Sequence, residues 1–249
     1  MKVMLLAAGR GTRMRPLTDH TPKPLLKVGG KPLIVWHLEH LASAGFKDIV
    51  INHAWLGAQI ESYLGNGMQW GLNIEYSAET TALETAGGIA QALPHIGNEP
   101  FLVMNADVWC DWHPAQAFIV QNQLEGNPAL LAWLLLVDNP PFHPNGDFYL
   151  QINGTVQDEN AENKGSNEGA DPGLDRRASR LTFSGIGIYK PRLFESTERN
   201  QPAKLAPLLK QAMKRQGVMG EKHITQWVDV GTPERLAQLN QLIFNDQFS

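Results

Sequence analysis

The sequence predicts an α/β fold, in which a mostly parallel, twisted sheet carries helices on both of its faces. Short apolar runs typical of buried strands alternate along the chain with segments whose apolar residues recur at helical spacing. The 249 residues suffice for a hydrophobic core, and a composition of 43% hydrophobic and 18% charged residues is that of an ordinary globular protein. We therefore expect a single domain over residues 1–249.

The first half of the chain shows the clearest alternation. Residues 2–8 form an almost wholly apolar run that ends at Gly9, which predicts a strand buried on both faces. Apolar residues at helical spacing predict a helix that begins at Pro32 and stops at Gly45. The other predicted elements here are strands at 48–52, 72–76 and 101–105 and helices at 58–64 and 85–93. Such βαβ units are Rossmann-like, and ligands bind them at the carboxyl ends of the strands.

The second half of the chain continues the alternation of helices and strands, with one long polar segment between them. The predicted elements are helices at 114–124, 204–215 and 233–244 and strands at 129–137, 181–189 and 227–230. Thr232 is the predicted cap of the closing helix. Residues 157–180 hold almost no large apolar side chain, which predicts a flexible polar insertion at the surface.

Charge and cysteine content exclude several classes of protein. A net charge of −4 and a pI near 6.1 give no field that would attract nucleic acid or an anionic membrane. No window approaches the roughly 18 apolar residues that a membrane helix needs. The single cysteine, Cys110, excludes an intramolecular disulfide and fits a reducing compartment, so we expect a cytoplasmic protein. The sequence leaves open a monomer or a small homo-oligomer.

A glycine-rich turn follows the first predicted strand. It reads Ala7-Ala8-Gly9-Arg10-Gly11-Thr12-Arg13. Glycines in this place let backbone N–H groups approach a phosphate, and Arg13 and Arg15 can neutralise its oxygens. The same turn also occurs for purely structural reasons, so alone it is a weak signal for a triphosphate site.

Lys23 stands between two prolines, Pro22 and Pro24. Because proline fixes φ and restricts the preceding residue, we expect the lysine on a stiff, extended segment. A rigidly mounted cation suits a fixed anionic target. The alternative is an ordinary exposed lysine on a proline-shaped loop.

Two aspartates lie at the ends of predicted strands. Asp107 follows the strand at 101–105, and Asp229 lies near the end of the strand at 227–230. Carboxylates at one edge of a sheet can share a magnesium ion with phosphate oxygens. Each could instead be a turn or cap residue.

Together these motifs resemble the sugar-nucleotide pyrophosphorylases, also called NDP-sugar nucleotidyltransferases. The shared stretches are residues 6–18, 22–25, 30–34, 83–88, 105–107 and 227–234. The resemblance implies a GT-A-like nucleotidyltransferase fold. It also implies a Mg²⁺-dependent reaction in which a nucleoside triphosphate and a sugar 1-phosphate combine and pyrophosphate is released.

The resemblance also implies a role for each matching residue. Catalytic roles fall to Arg13 and Lys23, and metal binding falls to Asp107 and Asp229. Nucleotide contacts fall to Ala7, Ala8, Gly9, Gly11, Thr12, Arg13, Lys23, Gly87, Gly88 and Asn105. Sugar contacts fall to Asp147, Ser184 and Gly185.

The resemblance is less decisive about the substrates. Residues 51–57, 135–140 and 182–186 resemble uridylyltransferases of cell-wall recycling, which implies UTP as the nucleotide. Mannose-1-phosphate guanylyltransferases and glucose-1-phosphate thymidylyltransferases share the scaffold and stay open as alternatives. Ala106 departs from the family, in which a glycine often precedes the metal-binding aspartate. No hexapeptide repeat follows Asp229, so we expect no C-terminal β-helix.

Two other classes of protein compete with this interpretation. A dinucleotide-dependent oxidoreductase would need a third glycine where this chain has Met14. A non-catalytic nucleotide-sugar sensor would have no need of all four charged residues Arg13, Lys23, Asp107 and Asp229.

Overall fold

The computed structural model describes residues 1–159 and 180–247, the last three of these by their backbone, and it confirms the predicted α/β fold. The strands of the described chain are β1 (Val3–Leu6), β2 (Lys27–Val28), β3 (Lys31–Pro32), β4 (Asp48–His53), β5 (Asn73–Ala78), β6 (Phe101–Asn105), β7 (Val108–Cys110), β8 (Ala132–Val137), β9 (Phe148–Leu150), β10 (Val156–Gln157), β11 (Arg180–Tyr189), β12 (Val218–Lys222) and β13 (Trp227–Asp229). Its helices are α1 (Leu33–Ser43), α2 (Gly57–Leu64), α3 (Glu84–Ile96), α4 (Gln116–Gly126), α5 (Leu205–Met213) and α6 (Pro233–Gln247).

The main sheet of the described chain has nine strands and a parallel centre. Strand β1 pairs in parallel with β4 and with β6, and β5 extends the parallel part beside β4. Strand β11 runs antiparallel to both β6 and β8, so the sheet is mixed beyond β6. The carboxyl ends of β1, β4 and β6 therefore meet at one edge, as the βαβ pattern predicts.

The core has two layers, one on each face of the sheet. Strand β1 shows the division, because Val3 and Leu5 point into one cluster and Met4 points into the other. Helices α1, α2 and α4 cover the first face, and α3 and α5 cover the second. This confirms the expectation of helices on both faces.

A second, smaller structural unit lies beside the main sheet. Strands β7 and β13 form a two-stranded antiparallel ribbon of their own. Val230, directly after β13, joins a small apolar cluster with Leu239 and Ile243 of α6. Thr232 caps α6, since the amide N–H of Arg235 donates to its hydroxyl oxygen at 3.4 Å. The ribbon brings the region of β13 next to the end of β6.

The segment around Lys23 differs from the prediction of extended backbone. Pro22 is extended, but Lys23–Leu25 form one turn of 3-10 helix, closed by the amide of Leu26 donating to the carbonyl of Lys23 at 3.0 Å. Proline is tolerated in the first turn of a helix because its missing N–H has no partner there. Pro24 therefore allows the turn that the prediction excluded.

Other differences concern weak or terminal elements. Strand β12 is absent from the prediction, and α3 continues past Leu93, through Pro94, to Ile96. The predicted insertion at 157–180 lies outside the described residues except for 157–159 and 180, of which Gln157 ends β10 and Arg180 begins β11. Within the described chain, no helix is long and apolar enough to cross a membrane.

Candidate active site

The glycine-rich turn after β1 is held by its own side chains. Gly11 has φ of +66°, a conformation that favours glycine, and the hydroxyl of Thr18 donates to its carbonyl at 2.7 Å. Arg10 donates to the carbonyl of Thr18 at 3.0 Å, and its guanidinium lies 3.5 Å from the centre of the Trp55 ring. The predicted residues Ala8, Gly9 and Thr12 lie on the same turn. These contacts hold the turn in one conformation from within the protein.

A buried chain of hydrogen bonds connects this turn to the start of α3. The amide of Ala7 donates to Asn52 at 2.9 Å, and the amide group of Asn52 donates to Glu79 at 2.6 Å. The other carboxylate oxygen of Glu79 accepts from the amide of Leu83 at 2.9 Å. Asn52 and Glu79 are 2% and 7% exposed. Neither residue was predicted as part of the site from the sequence.

The two glycines of α3 face different surroundings. A Cβ atom on Gly88 would lie 2.6 Å from Glu79 Oε1 and 2.8 Å from Asn52 Nδ2, so this glycine leaves room for the buried chain. A Cβ atom on Gly87 would lie 2.4 Å from the carbonyl oxygen of Gln201. The amide of Gly87 also donates to the carbonyl of Ala203 at 3.1 Å. Both glycines permit close packing around α3, and their contact with a nucleotide stays a prediction.

Asp107 and Asp229 lie next to each other on the small ribbon. Asp229 stands opposite Val108 in the pairing of β13 with β7. The amide of Val230 donates to the carbonyl of Asp107 at 2.9 Å. The antiparallel pairing therefore fixes the two predicted metal ligands side by side, although they are far apart in the sequence.

Each of these aspartates forms an ion pair through its Oδ2 atom. Lys23, whose side chain is only 8% exposed, pairs with Asp107, and Arg235 pairs with Asp229 at 2.9 Å. Among the described residues, Oδ1 of neither aspartate has a hydrogen-bond partner. Carboxylate oxygens are the ligands that Mg²⁺ prefers, so this pair fits a magnesium ion that also binds phosphate oxygens.

Of the three predicted sugar-binding residues, Ser184 and Gly185 line the cleft that is described below, and Asp147 does not. Asp147 accepts from the amide of Phe183 at 2.8 Å and contacts the His143 ring at 3.1 Å, so it supports the wall. The Ser184 hydroxyl accepts from the amide of Ile186 at 3.1 Å, and its carbonyl accepts from the Trp227 indole at 2.9 Å. These contacts account for Asp147 and Ser184 structurally, and their contact with sugar stays a prediction.

Gly185 lies at an irregularity in β11, where the register with β8 shifts between Phe183 and Gly187. Its φ is +85°, and a Cβ atom there would lie 2.6 Å from the Asn105 amide nitrogen. Because Gly185 has no side chain, Asn105 can occupy the space at the end of β6.

One cleft of about 240 Å³ is lined by six of the fifteen predicted site residues. Its lining includes the predicted residues Arg13, Asn105, Asp107, Ser184, Gly185 and Asp229, together with the unpredicted His143, Thr182 and Trp227. Lys23 does not line the cleft but pairs with Asp107, which does, and Asp147 contacts the lining residue His143. The side chains come from widely separated parts of the chain but share one concave surface.

A buried histidine lies close to Asp107 and Val108. His37 of α1 is in the field of Asp107 and hydrogen-bonds the backbone of Val108, and its Nε2 atom has no partner in the described chain. Burial, together with the neighbouring His40, lowers the pKa of His37 to about 4, against the influence of Asp107 and of the hydrogen bond to Val108. His37 is therefore neutral at neutral pH.

A polar cluster attaches the chain before β13 to the end of β7. Asp111 accepts from the Thr225 hydroxyl at 2.8 Å and lies 2.6 Å from His223 Nε2. Burial raises the pKa of Asp111, but the hydrogen bonds from Thr225 and His223 outweigh it, so the pKa lies below its ordinary value. This cluster helps to hold β13, and with it Asp229, in register.

The fold is that of a nucleotidyltransferase. A family model described as nucleotidyl transferase matches residues 2–246, and the chain belongs to this family. An N-acetylmuramate alpha-1-phosphate uridylyltransferase of Neisseria meningitidis serogroup B is 51% identical over 243 residues, which are 97% of this chain and 98% of the relative. A mannose-1-phosphate guanyltransferase of Gibberella zeae is 39% identical over 130 residues, covering 51% of this chain and 35% of the relative.

The solved structures support the fold independently. A Bacillus anthracis protein assigned as a glucose-1-phosphate thymidylyltransferase, crystallised with sucrose, superposes with a TM-score of 0.78. The superposition covers 97% of this chain and 94% of that protein, at 21% identity. At this level of identity the similarity establishes the fold alone.

Proposed function

We propose that this nucleotidyltransferase joins N-acetylmuramate α-1-phosphate to the uridylyl group of UTP and releases pyrophosphate, as a step in peptidoglycan recycling. The observation that carries the proposal is the pairing of Lys23 with Asp107 and of Arg235 with Asp229 on one cleft that Arg13 also lines. The choice of substrates rests on the full-length relative, because the guanyltransferase match spans only half of this chain. We also propose that the enzyme works in the cytoplasm, where UTP is available.

The chemistry requires the control of negative charge more than a catalytic base. A phosphate monoester has its second pKa near ~6, so the sugar phosphate is largely dianionic at neutral pH and its oxygen is already nucleophilic. That oxygen forms a bond to the α-phosphorus of UTP, and the bond from the α-phosphorus to the bridging oxygen breaks, so that pyrophosphate leaves. The remaining difficulty is repulsion between the anions.

Basic side chains of the cleft would reduce this repulsion. Arg13 would neutralise the triphosphate, and the Lys23 ammonium, held in place by Asp107, would stabilise charge at the reacting phosphates. The N–H groups of the turn from Ala8 to Thr12 would hold phosphate oxygens, with Asn105 at the end of β6 beside them. Asp107 and Asp229 would hold Mg²⁺, which supplies Lewis-acid stabilisation of the phosphates when bound.

The two substrates would then lie in different places, the sugar in the cleft and the nucleobase near the start of α3, outside the lining of the cleft. The buried chain through Asn52 and Glu79 would fix the nucleobase side near Gly87 and Gly88. The cleft wall, with Asp147, Ser184 and Gly185, would receive the sugar.

A substrate matrix tests the proposal. Each of UTP, GTP, dTTP and ATP is combined with N-acetylmuramate, N-acetylglucosamine, mannose or glucose 1-phosphate in the presence of Mg²⁺, and pyrophosphate release is measured. We expect the highest kcat/KM for UTP with N-acetylmuramate 1-phosphate. A higher value for GTP with mannose 1-phosphate, or for dTTP with glucose 1-phosphate, would overturn the substrate assignment. Tight binding of a UDP-sugar with no turnover of any pair would indicate a sensor.

A further inference from the structure

Arg235 has the contacts of a residue that orients another side chain. Its guanidinium donates to Asp229 Oδ2 at 2.9 Å, and its side chain is only 13% exposed. Guanidinium groups hold carboxylates in a defined orientation because their donors lie in one rigid plane. Asp229 therefore cannot rotate freely about its side-chain bonds while this hydrogen bond is present.

Two further contacts hold Arg235 itself in place. The guanidinium carbon lies 4.0 Å from the centre of the Phe142 ring, in the segment between β8 and β9, which is a cation–π arrangement. A Cβ atom on Gly231 would lie 2.2 Å from Arg235 Nη2, so the glycine after Val230 makes room for the guanidinium. The orientation of Arg235 is thus determined from both sides.

The geometry leaves the other oxygen of Asp229 available. Arg235 uses Oδ2, and Oδ1 has no hydrogen-bond partner within the described residues. Asp229 lines the cleft beside Asp107, whose own Oδ2 is used by Lys23. Both aspartates therefore offer one oxygen to a ligand while a basic residue holds the other.

We propose that Arg235 is a positioning residue, which holds Asp229 so that its Oδ1 atom binds the divalent cation. The proposal rests on the proposed function, in which Asp229 is a metal ligand. Hydrogen bonds to ligating carboxylates fix their orientation, and their loss typically lowers metal affinity about tenfold to 100-fold. Arg235 also keeps the region near neutral charge when no cation is bound.

Titration of Mn²⁺ followed by electron paramagnetic resonance, with and without UTP, tests the proposal. The variants are Arg235→Met, which removes the charge and the donors, and Arg235→Lys, which keeps a charge and N–H donors but loses the rigid plane of the guanidinium. We expect Mn²⁺ affinity to fall about tenfold to 100-fold in Arg235→Met and by less in Arg235→Lys. Turnover in both variants should recover as the metal concentration is raised. Lys210→Met, which breaks a 3.0 Å ion pair with Asp158 outside the cleft, should keep wild-type affinity.

Asp229→Asn separates the two possible failures. If this variant binds Mn²⁺ as tightly as the wild type, Asp229 is not a metal ligand and the proposed metal site fails. If Asp229→Asn loses Mn²⁺ while Arg235→Met binds it with unchanged or higher affinity, the metal site stands and the positioning role is overturned. A lower melting temperature of Arg235→Met with unchanged Mn²⁺ affinity would likewise mean a purely structural residue.

Discussion

The ammonium group of Lys23 forms an ion pair with the carboxylate of Asp107, although 84 residues separate them in the sequence. The pair links the turn after Pro22 to the end of β6, on the wall of the candidate active site. Lys23 is nearly buried, so its charge is directed at the cleft and not at bulk solvent.

Replacing Lys23 should remove turnover without unfolding the protein. We expect Lys23→Met to lower kcat by a factor of about 10² to 10³, as is typical when one transition-state donor is lost. Pyrophosphate release measures the effect, and circular dichroism checks the fold. Lys31→Met is the matched control, because Lys31 pairs with Glu39 outside the cleft. Near-normal kcat in Lys23→Met would remove this residue from the mechanism.

Replacing the buried carboxylate of Glu79 with a neutral amide should destabilise the protein. In Glu79→Gln, an amide NH₂ replaces one of the two oxygens that accept from Asn52 and from the amide of Leu83. One buried donor then faces another donor, which should lower the free energy of unfolding by about 1–3 kcal/mol. Urea unfolding at neutral pH gives the value.

Glu75→Gln provides the comparison for this buried carboxylate. Glu75 pairs with His95 at the surface, where the loss of such a pair costs little. Equal effects of the two substitutions on the free energy of unfolding would contradict the importance of the buried chain.

Gly185→Ala should disturb the cleft through Asn105. The backbone has φ of +85°, and the new methyl group would lie 2.6 Å from the Asn105 amide nitrogen, so Asn105 must move. We expect a loss of more than about 1 kcal/mol in the free energy of unfolding, and higher KM values for both substrates.

Gly126→Ala, at the end of α4, is the control for this glycine. A Cβ atom there meets nothing within 4 Å, and its φ is not in the left-handed region. This variant should be neutral or slightly more stable. If Gly185→Ala behaves in the same way, the close contact with Asn105 does not constrain the site.

The lowered pKa of His37 predicts that the free energy of unfolding depends on pH. Its pKa falls from 6.5 to about 4 on folding, so the unfolded chain takes up a proton at a higher pH than the folded chain does. The contribution of His37 to stability is therefore complete above pH 6.5 and is lost as the pH falls toward 4. Between pH 7 and pH 5 this amounts to about 2 kcal/mol of the free energy of unfolding.

His37→Gln isolates this contribution from that of the other histidines. Urea unfolding at pH 7 and pH 5 should show a difference that is smaller by about 2 kcal/mol in the variant than in the wild type. An unchanged difference would mean that His37 takes up its proton equally in the folded and unfolded states.

The sequence predicts the position of one of the two acids better than that of the other. Asp229 ends β13 in the separate ribbon, and the pairing of β13 with β7 that places it beside Asp107 was not predicted. Asp107 follows β6, and the βαβ pattern brings the ends of β1, β4 and β6 to one edge. Asn52 follows the same rule, as a polar residue at the end of a buried strand, and this signal could have identified it. Glu79 follows β5 in an irregular segment, where no local pattern shows that it will be buried.

The other differences between the prediction and the structure arise from contacts between residues that are distant in the sequence. Lysine is usually exposed, so only the partner carboxylate explains why Lys23 is buried. Strand β12 begins with two apolar residues, Val218 and Met219, and then turns polar, so its place beside β8 depends on a partner distant in the sequence. Arg235 resembles any charged residue of an exposed helix until its contact with Asp229 is known.

The separation of the β7–β13 ribbon from the main sheet has a consequence for evolution. Asp107 and Asp229 are aligned by the ribbon's own pairing and by the hydrogen bond from Val230, not by the length of chain that joins them. Residues can therefore be gained or lost between β10 and β11 while the spacing of the two acids stays the same. We therefore expect the proposed metal site to tolerate insertions and deletions in that connection.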